Sequence, residues 1–167
     1  LPTGALEAES GVGEATASRI QAALELGRRA AAEPSDTNDR IRGPRDVFER
    51  MGPLMRDLRQ EEFHALLLNT QHRVIRDVLV TRGILDASLI HPREVFRPAI
   101  ETGAAALILV HNHPSGGAEP SQADERITQR LKAALELVDI RLLDHLVVGD
   151  TEVTSIREYG WPAGPGP

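Results

Sequence analysis

The stretch "ALILVHNHPSGGAEPSQADERI" (residues 106–127) carries the features on which the fold prediction depends. An apolar run with the composition of a strand buried on both faces leads into two histidines one residue apart. A Pro/Gly-rich turn follows, and Ser121 and Asp124 then stand where a helix would begin. The stretch therefore predicts a strand, a tight turn and a helix. Its polar side chains would lie at the end of the strand and at the start of the helix, which the turn brings together.

The polar residues of this stretch have the spacing of metal ligands. Residues two apart in a strand project to the same side, so His111 and His113 can converge on one ion. Asp124, in the first turn of the helix, can be aimed back at the strand end. Two imidazoles and one carboxylate leave a fourth tetrahedral position open, as in catalytic zinc sites, where the pKa of a water ligand falls to about 7. The spacing therefore favours a metal site.

A plainer interpretation of the same residues stays open at this stage. Ser121-x-x-Asp124 is also typical of a helix N-cap followed by an acid in the first turn, where the carboxylate favours the helix dipole. Histidine pairs separated by one residue also occur by chance. The residues alone thus predict either a metal site or a capped helix.

The rest of the chain alternates strand and helix patterns, which indicates an α/β domain. Strands are predicted at 63–69, 74–81 and 105–110, and a closing hairpin at 140–158 around Gly149 and Asp150. Helices are predicted at 14–31, 44–59 and 121–138, with a short one in "HPREVFRPAIETG" (91–103). The predicted organisation is a helical segment at 1–33, a linker at 34–42, the α/β domain at 43–160 and a disordered tail at 161–167.

Composition excludes several classes of protein. The 167 residues include no cysteine, so disulfides and thiolate metal sites are excluded and any metal must be held by His, Asp or Glu. The formal charge of -6 argues against a protein that coats nucleic acid. No apolar run approaches the roughly 20 residues of a membrane span. We expect a cytoplasmic protein with no membrane association.

The motif resembles the H-x-H-P-x6-S-x-x-D signature of the JAMM/MPN+ metalloprotease family, also called JAB domains. Four further stretches resemble the bacterial RadC branch of that family: "EEFHALLLNTQHRVI" (61–75), "GILDASLIHPREVFRPAI" (83–100), "AAALILVHNHPSG" (104–116) and "LVDIRLLDHLVVG" (137–149). The resemblance covers roughly residues 10 to 160.

The resemblance implies a cytidine-deaminase-like mixed sheet flanked by helices, and a zinc hydrolase core with one Zn²⁺ per chain. It assigns His111, His113 and Asp124 as metal ligands and Ser121 as the residue that helps to stabilise the oxyanion. It also requires an upstream glutamate as general base, as zinc hydrolysis generally does. Glu61 and Glu62 compete for that role, and the RadC pattern E-x-F selects Glu61.

The N-terminal stretch "SGVGEATASRI" (10–20) resembles a helix-hairpin-helix motif, in which glycine-hairpin N–H groups meet a nucleic-acid phosphate. Only a partial motif is present at 1–33, and five acids against three arginines in this segment predict weak, salt-sensitive phosphate attraction. A protein-packing role for the Gly11–Gly13 hairpin is an equal alternative.

The first functional prediction is a zinc-dependent metallohydrolase that cleaves a peptide or isopeptide bond in a protein or peptide substrate. The first alternative is a metal-dependent DNA nuclease or DNA-associated repair factor, with DNA held by the Gly11–Gly13 hairpin or by arginines. The second is a non-catalytic MPN scaffold. A homodimer is compatible with each of the three.

The remaining histidines are assigned lesser roles. His145 lies in an apolar strand, which favours a core histidine or a partner of the ligands over a ligand. His64 and His72 are expected at the surface or in a turn.

Overall fold

A computed structural model describes residues 11–32, 40–83, 90–158 and 160 of the chain. In chain order the elements are α1 (Glu14–Ala32), α2 (Pro44–Met55), β1 (Glu62–Leu68), β2 (Val74–Arg82), α3 (Pro92–Glu101), β3 (Ala106–Asn112), α4 (Gln122–Glu136), β4 (Arg141–Val148) and β5 (Val153–Ser155). The predicted tail at 161–167 and most of the predicted linker lie outside the described residues, and the domain boundaries stay predictions.

The strands form a five-stranded mixed sheet in the order β2-β1-β3-β4-β5. Neighbouring strands are antiparallel except β3 and β4, which are parallel. A parallel pair needs a crossover connection, and α4 supplies it between these two strands. The predicted α/β mixed sheet flanked by helices is confirmed. The crossover also brings the end of β3 and the start of α4 to one edge of the sheet.

One face of the sheet is covered by α3 and α4. Alternate residues of β1 and β3, including Phe63, Ala65, Leu107 and Leu109, pack there against the buried faces of these helices. The helices contribute Val95, Ala99, Ile127, Leu131 and Leu135 to this core. Because β3 is buried on both faces, as its composition predicts, the side chains at its end are also held away from solvent.

The opposite face of the sheet is covered by α2. Leu66 and Leu68 of β1 and Ile108 and Val110 of β3 project to this side. They meet the buried residues of α2, which are Val47, Met51, Gly52 and Met55. Two apolar layers therefore fix the central strands β1 and β3 from both sides.

The helix α1 begins directly after the Gly11–Gly13 segment. Gly11 has a φ of +88°, and the Gly13 carbonyl accepts hydrogen bonds from the N–H groups of Thr16 and Ala17. Ala17 is fully buried, whereas Leu24, about two helical turns later, is 54% exposed. The helix packs against α2, so only part of its apolar surface is covered.

Two element boundaries differ from prediction for physical reasons. The predicted helix 44–59 ends at Met55, and Leu58 completes the apolar pattern from a turn that bonds back to the Met55 carbonyl. Strand β3 runs to Asn112 rather than residue 110, because His111 pairs with Phe63 on one side and Val147 on the other. No helix in the described part of the chain is long and apolar enough to span a membrane.

Candidate metal centre

The candidate centre lies where β3 ends and α4 begins. His111 is the penultimate residue of β3, and the His113 N–H donates to the Val148 carbonyl at 3.2 Å. The His113 carbonyl accepts from the Gly116 N–H at 2.9 Å, which turns the chain sharply. Both histidines are thus held by backbone bonds that extend the sheet into the loop.

The turn between β4 and β5 packs against the loop that carries His113. Gly116 has a φ of +87°, and its carbonyl accepts from the Asp150 N–H at 3.0 Å. A Cβ on Gly116 would lie 2.6 Å from Asp150 Oδ2, and one on Gly149 would lie 2.6 Å from the Gly116 carbonyl oxygen. Gly149 cannot carry a side chain without separating the two loops, because the clash would be with backbone, and Gly116 is required by its positive φ.

The start of α4 is closed by a capping box. The Ser121 N–H and the Ser121 hydroxyl both donate to Asp124 Oδ2, at 2.6 and 2.7 Å, and the Asp124 N–H donates back to Ser121 Oγ at 3.2 Å. The capped-helix interpretation of these residues is therefore confirmed. The cap also orients the Asp124 carboxylate, so capping and ligand placement are served by the same bonds.

His111, His113 and Asp124 converge on one point. His111 Nε2 lies 3.0 Å from His113 Nε2 and 3.1 Å from Asp124 Oδ1, and His113 Nε2 lies 3.4 Å from Asp124 Oδ2. The three residues can each offer one ligand atom within 4.8 Å of the others. Zinc bonds of 2.0–2.1 Å in a tetrahedron place neighbouring ligand atoms about 3.3 Å apart. The separations have the size that such a metal site requires.

Asp124 Oδ1 provides the test of whether these residues fit a cation. It is a buried side-chain oxygen for which the described residues supply no hydrogen-bond partner. Buried polar atoms almost always have a hydrogen-bond partner, and one without a partner in the protein indicates a bound water, an ion or a functional role. Because Oδ1 faces the Nε2 atom of His111, a cation bound by both atoms would satisfy it. The donor set fits a metal ion.

The charges of the centre support ionised Asp124. Burial opposes ionisation of this carboxyl, but hydrogen bonds from neighbouring side chains, among them those of His113 and Ser121, outweigh burial and hold its pKa well below the usual range. The pKa of His113 is raised, chiefly by its contact with Asp124, with smaller contributions from other groups that include Glu61. A carboxylate is thus maintained at the centre at neutral pH.

Glu61 and Glu62 lie on different sides of β1. Glu62 is buried, accepts from Arg82 Nε at 2.7 Å and lies 3.1 Å from His64 Nε2. Glu61 is half-buried immediately before β1, and its charge acts on His113. Phe63, two residues further on, has its ring 6.1 Å from that of His111. The alternation of the strand therefore places Glu61 on the side of the metal centre.

His145 joins the centre from β4. Its Nε2 atom lies 2.9 Å from His111 Nδ1, and its Nδ1 atom lies 2.5 Å from Thr128 Oγ1. Burial and the neighbouring His111 lower the pKa of His145 well below its usual value. The prediction of a core histidine or partner of the ligands is confirmed. Thr128 is not among the residues predicted from the sequence, although its position four residues after Asp124 on one helix face is a usable signal.

His64 is not the surface or turn residue that the sequence suggested. It is 9% exposed and lies between two carboxylates, with Nδ1 2.8 Å from Asp77 Oδ1 and Nε2 3.1 Å from Glu62 Oε2. The prediction failed because Asp77 comes from the neighbouring strand β2, and nothing local in "EEFHALLL" shows this pairing. His72 does lie in a turn, with a φ of +59°.

The fold and the candidate centre define an α/β domain of the JAB type with a candidate metal-binding triad. Residues 41–161 match the family model of the RadC-like JAB domain. The chain is similar to a UPF0758 protein of Vibrio cholerae serotype O1 (strain M66-2), with 50% identity over 151 residues that cover 90% of this chain and 67% of the relative. It is also 45% identical to a UPF0758 protein of Aliivibrio fischeri (strain MJ11), again over 151 residues, 90% of this chain and 67% of the relative. The chain belongs to the RadC-like JAB domain family.

Proposed function

We propose that this protein is a zinc-dependent hydrolase that cleaves a peptide or isopeptide bond. The observation that carries the proposal is the convergence of His111, His113 and Asp124, with Asp124 Oδ1 buried and lacking a hydrogen-bond partner among the described residues. A purely structural cluster would be expected to satisfy that oxygen from within the protein.

The donor set favours zinc over the harder cations. Two imidazole nitrogens and one carboxylate oxygen suit zinc, whereas calcium and magnesium prefer all-oxygen shells. When bound, zinc would supply Lewis acidity to a water molecule and to the scissile carbonyl. His111, His113 and Asp124 would hold the ion and leave one side of it to solvent and substrate.

Glu61 is the proposed carrier of the proton. It is half-buried beside the centre and acts electrostatically on His113, so its carboxylate is close enough to influence the ligands. In this role Glu61 takes a proton from the attacking water and returns it to the leaving nitrogen. Glu62 is engaged with Arg82 and His64 on the other side of the strand, which makes it the natural control.

Ser121 is proposed to act on the developing oxyanion. Its side chain is exposed at the start of α4, and its hydroxyl donates to Asp124 Oδ2 in this structure. Donation to a substrate oxygen would require the hydroxyl to rotate away from that carboxylate. The Ser121 N–H keeps a bond of its own to Oδ2, so Asp124 stays oriented during the rotation.

The charge distribution favours an amide over a phosphodiester substrate. The net charge is -6, and two arginines are ion-paired, Arg82 with Glu62 and Arg93 with Glu94. A polyanionic strand needs several uncompensated cations along its path. These ion pairs leave less uncompensated positive charge for binding such a strand.

Metal content is the first test of the proposal. Elemental analysis of protein purified without added metal, then repeated after zinc addition and desalting, should give one zinc per wild-type chain. His113→Ala should lose the zinc, whereas His91→Ala, which removes an exposed histidine at the start of α3, should retain it. Wild-type protein without zinc under both conditions would contradict the proposal.

A substrate screen is the second test. Zinc-loaded protein should be offered peptide and isopeptide libraries in parallel with labelled single- and double-stranded DNA, with Glu61→Gln as the inactive control. Amide cleavage lost in Glu61→Gln is the expected result. DNA cleavage lost in the same variant would replace the proposal with a nuclease, and bound zinc without turnover of either class would indicate a scaffold.

A further inference from the structure

A continuous chain of buried polar groups runs behind the metal-binding triad and connects two of its members. His111 Nδ1 lies 2.9 Å from His145 Nε2, and His145 Nδ1 lies 2.5 Å from Thr128 Oγ1. Thr128 Oγ1 donates to the Asp124 backbone carbonyl at 2.6 Å, and all four residues are fully buried. This series of hydrogen bonds begins at the proposed ligand His111 and ends at the proposed ligand Asp124.

The positions of the hydrogens in this series of hydrogen bonds follow from which atoms can donate and which can only accept. The Asp124 carbonyl can only accept, so the single hydroxyl hydrogen of Thr128 is directed to it. Thr128 Oγ1 must then accept from His145 Nδ1–H. The hydroxyl therefore specifies which nitrogen of His145 carries hydrogen.

The hydrogen position on His145 determines in turn which nitrogen of His111 carries hydrogen. Within the described part of the chain, the ring nitrogens of His145 contact a hydroxyl and an imidazole and no carboxylate, so the neutral ring is the form that this buried position favours. A neutral His145 with hydrogen on Nδ1 offers a lone pair at Nε2, which accepts from His111 Nδ1–H. His111 Nε2 then has no hydrogen, and it is the atom that faces Asp124 Oδ1 and His113.

We propose that Thr128 and His145 are positioning residues that fix the tautomer of His111, so that its Nε2 lone pair is directed at the bound cation. The inference rests on the proposed metal site. It adds to that proposal the reason why a threonine and a third histidine are buried beside the triad. A metal-ligating histidine commonly donates its other ring N–H to an outer partner, and loss of such partners weakens metal affinity about 10- to 100-fold.

The arrangement of the elements holds the hydrogen-bonded residues in one cluster. Thr128 follows Asp124 by one helical turn, so the proposed ligand and the threonine share one face of α4. His145 lies on β4, the strand parallel to β3, where Leu109 is its register partner. The ring of Phe63 contacts His145 edge-on at 5.4 Å and stacks on His111, which limits rotation of both imidazoles.

The tautomer can be measured without metal. The chain has six histidines, so long-range ¹H–¹⁵N correlation spectra of histidine-labelled, zinc-free protein can resolve each ring. We expect wild-type His111 to show hydrogen on Nδ1 and a pyridine-like Nε2. A wild-type spectrum with hydrogen on His111 Nε2 would overturn the inference, with no variant required.

Two threonine variants separate tautomer control from packing. Thr128→Ser keeps the hydroxyl, whereas Thr128→Val keeps the shape and removes it. We expect Thr128→Ser to retain the wild-type His111 spectrum and zinc Kd, and Thr128→Val to show mixed tautomers and a Kd raised about 10-fold or more in competition with a chromophoric chelator. His145→Leu should raise the Kd by a similar or larger factor.

The outcomes distinguish this inference from the proposed function. If wild-type protein binds zinc and Thr128→Val matches Thr128→Ser in Kd and spectrum, the positioning role is wrong and the metal site stands. If wild-type protein binds no zinc, the proposed function is wrong, and the zinc-free spectrum still decides the tautomer. Far-UV circular dichroism of each variant establishes that the fold is intact when the comparison is made.

Discussion

Two histidine–carboxylate clusters project from opposite faces of the central sheet, and they differ in where their lone pairs point. The metal-site cluster consists of His111, His113 and Asp124, and the β1–β2 cluster consists of Glu62, His64, Asp77 and Arg82. In the metal-site cluster the Nε2 atoms of both histidines meet the same carboxylate. In the β1–β2 cluster one imidazole uses both nitrogens, each on a different carboxylate.

The difference shows that residue types alone do not define a metal site. His64 is flanked by enough acid to suggest a ligand, but its two nitrogens diverge and each already has a partner. The β1–β2 cluster thereby favours a charged imidazolium, whereas the metal-site cluster leaves the Oδ1 atom of Asp124 without a hydrogen-bond partner among the described residues. The convergence of three ligand-type side chains on one point, with one carboxylate oxygen lacking a hydrogen-bond partner among the described residues, distinguishes the metal-site cluster from the β1–β2 cluster.

The largest expected effect is the loss of zinc when the carboxylate of the metal-site cluster is neutralised. Asp124→Asn keeps the shape of the side chain and removes its charge, so we expect zinc Kd to rise by more than about 100-fold, beyond the range for outer partners. Asp77→Asn makes the same change in the β1–β2 cluster and should leave zinc Kd unaltered. A chelator competition titration measures the zinc Kd of both variants. Equal increases in Kd would contradict the assignment of metal binding to the metal-site cluster alone.

The next effect separates the two adjacent glutamates. Glu61→Gln should lower kcat about 10²- to 10⁴-fold with zinc content unchanged, because it removes a general base without removing a ligand. Glu62→Gln should keep kcat within about threefold of wild type, since that carboxylate faces His64 and Arg82. Steady-state kinetics on an amide substrate from the screen give the answer. The reverse pattern would assign the base to Glu62.

A stability effect is expected from the β1–β2 cluster. Burial opposes protonation of His64, but the hydrogen bonds with Asp77 and Glu62 prevail and raise its pKa above the model-peptide value. We expect His64→Gln to lower the free energy of unfolding by about 1.5–3 kcal/mol at pH 6, the range for hydrogen bonds to charged groups.

The pH dependence of that difference has a definite sign. A raised folded-state pKa gives a contribution that is fully present below the unfolded pKa, about 6.5, and is lost as pH rises through the folded pKa. The wild-type advantage over His64→Gln should therefore shrink from pH 6.5 upward in urea denaturation. An advantage that is constant or grows over this range would show that His64 is not charged in the folded state.

The smallest expected effect concerns the cap that orients Asp124. Ser121→Ala removes the capping hydroxyl of α4 and should lower the free energy of unfolding by about 1 kcal/mol. Ser121→Thr should restore most of it. If the urea midpoint of Ser121→Ala equals that of wild type, the capping box contributes nothing to stability and serves only the metal-site cluster.

Much of the fold was predictable because the patterns involved are local. The apolar run 105–110, the alternating strand 74–81 and the Gly149–Asp150 turn each indicate their element directly, and the elements agree with prediction to within a few residues. The end of a helix or strand is not predictable from the local pattern where it depends on contacts with other elements. The end of α2 at Met55 is an example, because the apolar spacing continues into the following turn at Leu58.

Some residues of the candidate site are likewise predictable from local spacing, and others are not. The spacing His-x-His and Ser-x-x-Asp identified the triad and the cap, since both are set by strand alternation and the first helical turn. The roles of His64, His145 and Thr128 depend on residues 13 to 34 positions away or on another element. No local pattern carries such pairings.

The sequence by itself determined the alternation of strands and helices and the absence of cysteine ligands, and its spacing predicted that His111, His113 and Asp124 could converge. Only the tertiary structure decided that Asp124 Oδ1 is buried without a hydrogen-bond partner in the described residues, and that Thr128 and His145 stand behind His111. The physical reason is that periodicity fixes the side from which a residue projects. Burial and hydrogen-bond satisfaction depend instead on which other elements pack against that side.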